Sequence, residues 1–198
     1  MLTKTKTLEK IKIESITWFV GLMAVAVVLP HYVHNQFVTG PIVNAVLFVA
    51  AVQLGAGNAI LIGLFPSVVA LVSGLLPAPL APMIPFIMIS NAVMILTFNI
   101  IYSSSERGES RSLNINSSRQ ARTITGYWAG VFGGTLFKYA FLYLTSTIVI
   151  GLISNHNIAL KAAATMMAWP QIVTAVVGGV IAFGILKIKN NLDANGTR

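Results

Sequence analysis

Lys138 stands inside a long apolar stretch, within Phe137-Lys138-Tyr139. A charged side chain in hydrocarbon is expensive and marks either a functional contact or a group reaching back to the surface. Two readings therefore stand: Lys138 binds an anionic or carbonyl-rich ligand, or it snorkels to the membrane surface or pairs with a buried carbonyl. Asn91, Asn44 and Gln171 carry amides in similarly apolar surroundings, where they serve as ligand contacts or as hydrogen-bonding links between helices. Trp169, before Pro170, is read either as a pocket wall or as part of an interfacial aromatic belt. His31 and His34, three residues apart, would share one face of a helical turn, a spacing suited to metal ligation, with His156 as a third candidate. No acidic residue lies near the pair, so no metal or cofactor is expected, and His34 and Gln36 are read as parts of a loop over a pocket.

The missing residue types narrow the chemistry further. There is no cysteine, and no Asp, Glu, Lys or Arg occurs from Ser15 to Ser105. Hydrolysis requires an activated nucleophile or metal-bound water, and no acid, cysteine or deep histidine is available to provide either. An intramembrane enzyme is the weaker reading, and binding is the stronger one.

These groups must be positioned by elements that tolerate lipid. Hydrophobic residues make up 56% of the 198-residue chain and charged residues only 9%, against about a quarter in soluble domains. The uncharged run is several times the roughly 20 residues needed to cross a bilayer once. Its continuous apolarity, without period-two alternation, calls for helices and not barrel strands. The first apolar stretch, Ile16 to Leu29, has no small-residue cleavage site, so the N-terminus is expected to be retained.

Residues 1–198 read as a single all-α integral membrane domain of about six spans, roughly Ser15–Leu29, Pro41–Leu54, Asn58–Leu76, Ile84–Tyr102, Thr123–Ile153 and Ala159–Lys187. A polar cytoplasmic loop covers 103–122. The second span reads as short. With both termini cytoplasmic, eleven of the thirteen basic residues fall inside, as the positive-inside rule requires; the exceptions are Lys138 and Lys161. The net charge of +8 is therefore explained by topology, and no nucleic-acid partner is expected. Small residues four apart, at Gly126, Gly130 and Gly134, at Gly55, Ala59 and Gly63, and at Ala175 and Gly179, offer close helix packing. No internal repeat of the kind that builds alternating-access carriers is evident.

Depth then brings the polar groups together. Lys138 lies about fifteen residues, roughly 22 Å, from the cytoplasmic end of its span. Asn91, Asn44, Trp169 and Gln171 reach a similar level from three other spans. The expected product is an outward-facing pocket with apolar walls and a few polar anchors, suited to a small organic ligand.

Several stretches carry a family resemblance: Gly40-Pro41-Ile42-Val43-Asn44-Ala45-Val46-Leu47-Phe48, Leu54-Gly55-Ala56-Gly57-Asn58-Ala59, Gly63-Leu64-Phe65-Pro66-Ser67, the proline-rich run to Pro85, the lysine of the fifth span, and the segment from Trp169 to Gly179. Over most of residues 15 to 187 the chain resembles the substrate-binding S components of energy-coupling factor (ECF) transporters. The resemblance implies a six-helix subunit of a prokaryotic plasma membrane that captures a vitamin or related micronutrient. It also implies a membrane T component and two ABC-type ATPases as partners, with toppling in the bilayer to release the cargo. The sequence lacks a Gly-x-x-x-x-Gly-Lys loop, so ATP hydrolysis would fall to those partners. S components often carry Ala-x-x-x-Ala in the first span for docking; here Thr17, Gly21 and Ala24 occupy that region as the candidate partner contact. The competing reading is a structural or assembly subunit of a larger membrane complex, which needs close-packed helices but no pocket.

Overall fold

The computed structural model describes residues 2–33, 35–74, 78–110, 116–153 and 158–196. Side-chain surroundings are described from residue 13 in the first helix, 123 in the fifth and 169 in the sixth. The chain folds as six α-helices: α1 (Leu2–Tyr32), α2 (Gln36–Leu54), α3 (Ala56–Val72), α4 (Ile84–Ser110), α5 (Asn116–Ile153) and α6 (Ile158–Gly196). A short 3-10 helix, Ala78–Met83, precedes α4, and no strand occurs among the described residues. Among the described residues, four stretches are long and apolar enough to cross a membrane: Ile13–Tyr32, Gln36–Leu54, Ala81–Ser105 and Trp169–Leu192. The shorter apolar helix is α3.

The helix starts follow local chemistry. Helix α2 begins at Gln36, five residues before the Pro41 expected from sequence, because Asn35 caps it: its side chain accepts from the Phe37 N–H at 2.9 Å. Gly40, read from sequence as the end of a break, and Pro41, read as the first residue of the span, therefore both lie inside the helix, and α2 is not the short span. Pro41 is the sixth residue of the helix, past the first turn where proline is best tolerated, and it cannot donate the bond that a helical residue there would make to the Phe37 carbonyl. Likewise α1 runs through Pro30 to Tyr32, with the Val33 N–H donating to the Leu29 carbonyl at 2.9 Å. The α2–α3 turn needs Gly55 at φ +82°, a conformation costly for any residue with a Cβ. Helices α4 and α5 also extend into the segment read as a loop, to Ser110 and from Asn116.

Helix α2 is the axis of the bundle. It is buried almost continuously from Asn44 to Ala51, as a helix apolar on every side should be. Around it, α4 packs against α5 through the glycine series. A Cβ at Gly134 would lie 2.7 Å from the Met94 carbonyl oxygen, and one at Gly130 2.9 Å from the Phe98 ring. Similarly, α6 presses on α2 at Gly178, where a Cβ would meet Asn44 at 2.7 Å and the Pro41 carbonyl at 2.8 Å. The core is filled by Phe48 and Phe98, whose ring centroids are 5.0 Å apart, and by Tyr127 set edge-on to Phe98 at 5.5 Å. One end of the bundle gathers the start of α1 and the ends of α2 and α6. Lys189 there donates to Gln53 at 2.8 Å, lies 3.6 Å from Glu14, and sits 5.5 Å above the Trp18 ring. Many large apolar side chains remain exposed, among them Val28, Phe65, Leu136 and Ile148. That is the expected surface of a chain facing lipid.

Candidate functional site

At the end of the bundle away from Lys189 lies a cavity of about 110 Å³ to which all six helices contribute. Pro30 comes from α1, Gln36 to Asn44 from α2, Pro66, Ser67 and Ala70 from α3, Ile87 and Asn91 from α4, Lys138 from α5 and Gln171 from α6. Lys138 is only 3% exposed and donates to Asn44 Oδ1 at 2.8 Å. Asn44, itself buried, donates onward from Nδ2 to Thr174 Oγ1 at 3.4 Å, and Thr174 Oγ1 donates to the Gln171 carbonyl at 3.2 Å. A polar chain thus crosses from α5 over α2 to α6. On the other side, Asn91 Nδ2 donates to the Gly63 carbonyl at 3.0 Å, binding α4 to α3 where Gly63 admits close approach.

The electrostatics are lopsided. The five acidic residues of the chain are Glu9, Glu14, Glu106, Glu109 and Asp193, all at or beyond the ends of the apolar spans. Lys138 consequently has no carboxylate partner among the described residues. An ammonium carries three donors, and among the described residues only Asn44 takes one. The Asn91 carboxamide oxygen likewise accepts no hydrogen bond among the described residues. The cavity therefore offers donors from Lys138, acceptor capacity at Asn91, and apolar walls from Pro30, Val43, Pro66 and Ile87.

Of the residues singled out from sequence, Lys138, Asn91, Asn44, Gln171 and Gln36 meet at this cavity. Trp169 does not. It is 54% exposed, because successive residues turn by about 100° and the side chain two positions before Gln171 points to the opposite side of α6. His31 is exposed and packs edge-on against Tyr32 at 5.1 Å, away from the cavity. His34 and His156 lie outside the described residues. Thr17, Gly21 and Ala24 form an exposed strip on α1, and a Cβ at Gly21 would meet nothing within 4 Å.

Sequence reasoning passed over Thr39, Ser67 and Thr174, small hydroxyls common in membrane helices that carry no distinguishing signal. It also missed Thr135, one turn before Lys138 on α5. Its hydroxyl is buried and has no hydrogen-bond partner among the described residues. Other buried hydroxyls, such as Ser90, Ser146 and Thr174, donate to a carbonyl of the preceding turn.

A bundle of apolar helices enclosing a small polar-anchored cavity is the architecture of a multi-pass membrane protein that binds a small molecule. The chain matches the ECF transporter, substrate-specific component family over residues 16–188, and it belongs to that family. It is a substrate-specific membrane subunit of an ECF transporter, a transport subunit and not the ATPase. Comparison with curated proteins and with solved structures gives no match.

Proposed function

We propose that this subunit captures a vitamin or related organic micronutrient carrying an anionic or carbonyl-rich group, and that Lys138 grips that group. The observation that carries the reading is a buried ammonium lining a cavity, hydrogen-bonded once among the described residues, in a chain whose carboxylates stand only at or beyond the ends of its spans. A buried charge without a counter-charge is costly, and a ligand oxygen supplies what the chain withholds. Asn44 holds the ammonium in place, while Asn91 and Gln171 offer amides to the rest of the polar head. A space of about 110 Å³ suits such a head, with the bulk of the ligand lying toward the mouth beside Gln36.

In this reading both termini are cytoplasmic, which satisfies the positive-inside distribution of basic residues and opens the cavity to the outside of a prokaryotic plasma membrane. The exposed strip at Thr17, Gly21 and Ala24 is the contact for a membrane T component. Two ABC-type ATPases complete the complex and supply the energy.

Native mass spectrometry of protein purified gently from its membrane tests the reading. The expected result is one bound organic molecule with an acidic or carbonyl group, lost in Lys138→Met. Recovery of unliganded protein, with no thermal stabilisation across a panel of metabolites, would instead favour a structural subunit.

A further inference from the structure

A second cleft, of about 360 Å³, lies at the end of the bundle that holds Lys189, between α2, α4, α5 and α6. Tyr102, Tyr127 and Phe183 form its inner wall. The Tyr127 hydroxyl is committed to the Gly179 carbonyl at 2.8 Å, so the residue presents its ring to the cleft and not a donor. At the mouth stand Lys187, Asn190 and Asn191, all exposed. They are spaced i, i+3 and i+4 on α6 and so share one face. Among the described residues, no acidic side chain lines the cleft. The neighbouring Lys189 is engaged by Gln53, Glu14 and Trp18, whereas Lys187 forms no ion pair among the described residues.

One ammonium and two carboxamides on a single helix face, above an aromatic wall, match a compact anion that has several acceptor oxygens and an apolar or glycerol-like extension. The mouth lies near the end of the α6 apolar stretch, Trp169–Leu192, where a bilayer changes from hydrocarbon to headgroup. Tyrosines commonly sit at that level, and anionic lipids concentrate negative charge there. We propose that this cleft binds an anionic phosphate ester, with Lys187, Asn190 and Asn191 around the phosphate and Tyr102 and Phe183 against its organic part. The site is separate from the Lys138 cavity: about eleven residues of α5, roughly 16 Å, lie between Tyr127 and Lys138. It stands whether or not Lys138 binds the transported molecule.

The test is native mass spectrometry of the full-length protein in detergent, titrated in parallel with phosphatidylglycerol, phosphatidylcholine and glycerol 3-phosphate. Wild type is expected to retain phosphatidylglycerol or glycerol 3-phosphate in preference to phosphatidylcholine. Lys187→Gln should weaken that binding about five- to tenfold, and Asn190→Leu should weaken it too. Arg107→Gln, which removes a charge outside the cleft, should leave it unchanged. Phosphatidylglycerol adducts without glycerol 3-phosphate adducts identify a lipid headgroup as the ligand. Glycerol 3-phosphate adducts that exclude the lipid identify a soluble ester, and either result upholds the phosphate site. Equal retention of the two lipids, unchanged binding by Lys187→Gln, or an equal loss in Arg107→Gln would overturn it.

Discussion

Lys138 on α5 donates to Asn44 on α2 at 2.8 Å, and Asn44 passes the connection to Thr174 on α6. The bond joins a buried ammonium to a buried amide, and it leaves two ammonium donors without a partner among the described residues. The proposed ligand would meet those donors, which makes the bond the first place to test.

Lys138→Met is expected to weaken ligand binding about 10- to 100-fold, the loss of one hydrogen bond to a charged group. The fold should survive, because an apolar side chain of similar length replaces an uncompensated charge. Isothermal titration for affinity, with thermal unfolding alongside, checks both halves. Unchanged affinity would remove Lys138 from the site.

Asn44→Leu removes the acceptor and strands the ammonium. Destabilisation of about 1–3 kcal/mol is expected. The double variant Asn44→Leu with Lys138→Met should be less destabilised than the sum of the singles. A double-mutant cycle by chemical denaturation measures the coupling, and strict additivity would show that the 2.8 Å contact contributes nothing.

Thr135→Val exchanges a buried, unpartnered hydroxyl for a methyl of nearly the same volume. The variant should match or exceed wild type in thermal stability, by up to about 1 kcal/mol, since an unsatisfied buried group is a net cost. A fall in melting temperature would mean that an ordered water or the ligand satisfies the hydroxyl.

Glycines on the bundle should divide by what their neighbours allow. Gly134→Ala and Gly178→Ala place a Cβ against backbone at 2.7 and 2.8 Å and should cost about 1–3 kcal/mol each. Gly21→Ala meets nothing and should leave the isolated subunit as stable as wild type. Gly21→Leu should also fold but assemble poorly with a T component, read by co-purification. Intact assembly would move the docking surface elsewhere.

Much of this protein is legible in its residues. A long uncharged run can persist in a membrane only as helices that satisfy their own backbone, so the all-helical, multi-pass class follows from composition alone. The stripe at Gly126, Gly130 and Gly134 announced close packing, and α4 fills it. Lys138 stood out because charge in lipid is rare, and counting residues along its helix placed it at the depth of Asn91.

Other features depended on what surrounds a residue. The start of α2 was missed because the stretch from Pro30 to Gly40 reads as a break, while the Asn35 cap inside it is a hydrogen bond of 2.9 Å. Trp169 and Gln171 looked equivalent in sequence; rotation about α6 turns one to the outside and the other to the cavity. The partner of Lys138 was equally hidden, since Asn44 lies 94 residues away and is brought to it by helix packing. Residue types determined that a buried cation would need an oxygen. Tertiary structure decided that a neutral amide from α2 meets it, because glycines on α5 and α6 let the helices come close enough for a single hydrogen bond and leave a small cavity for the rest.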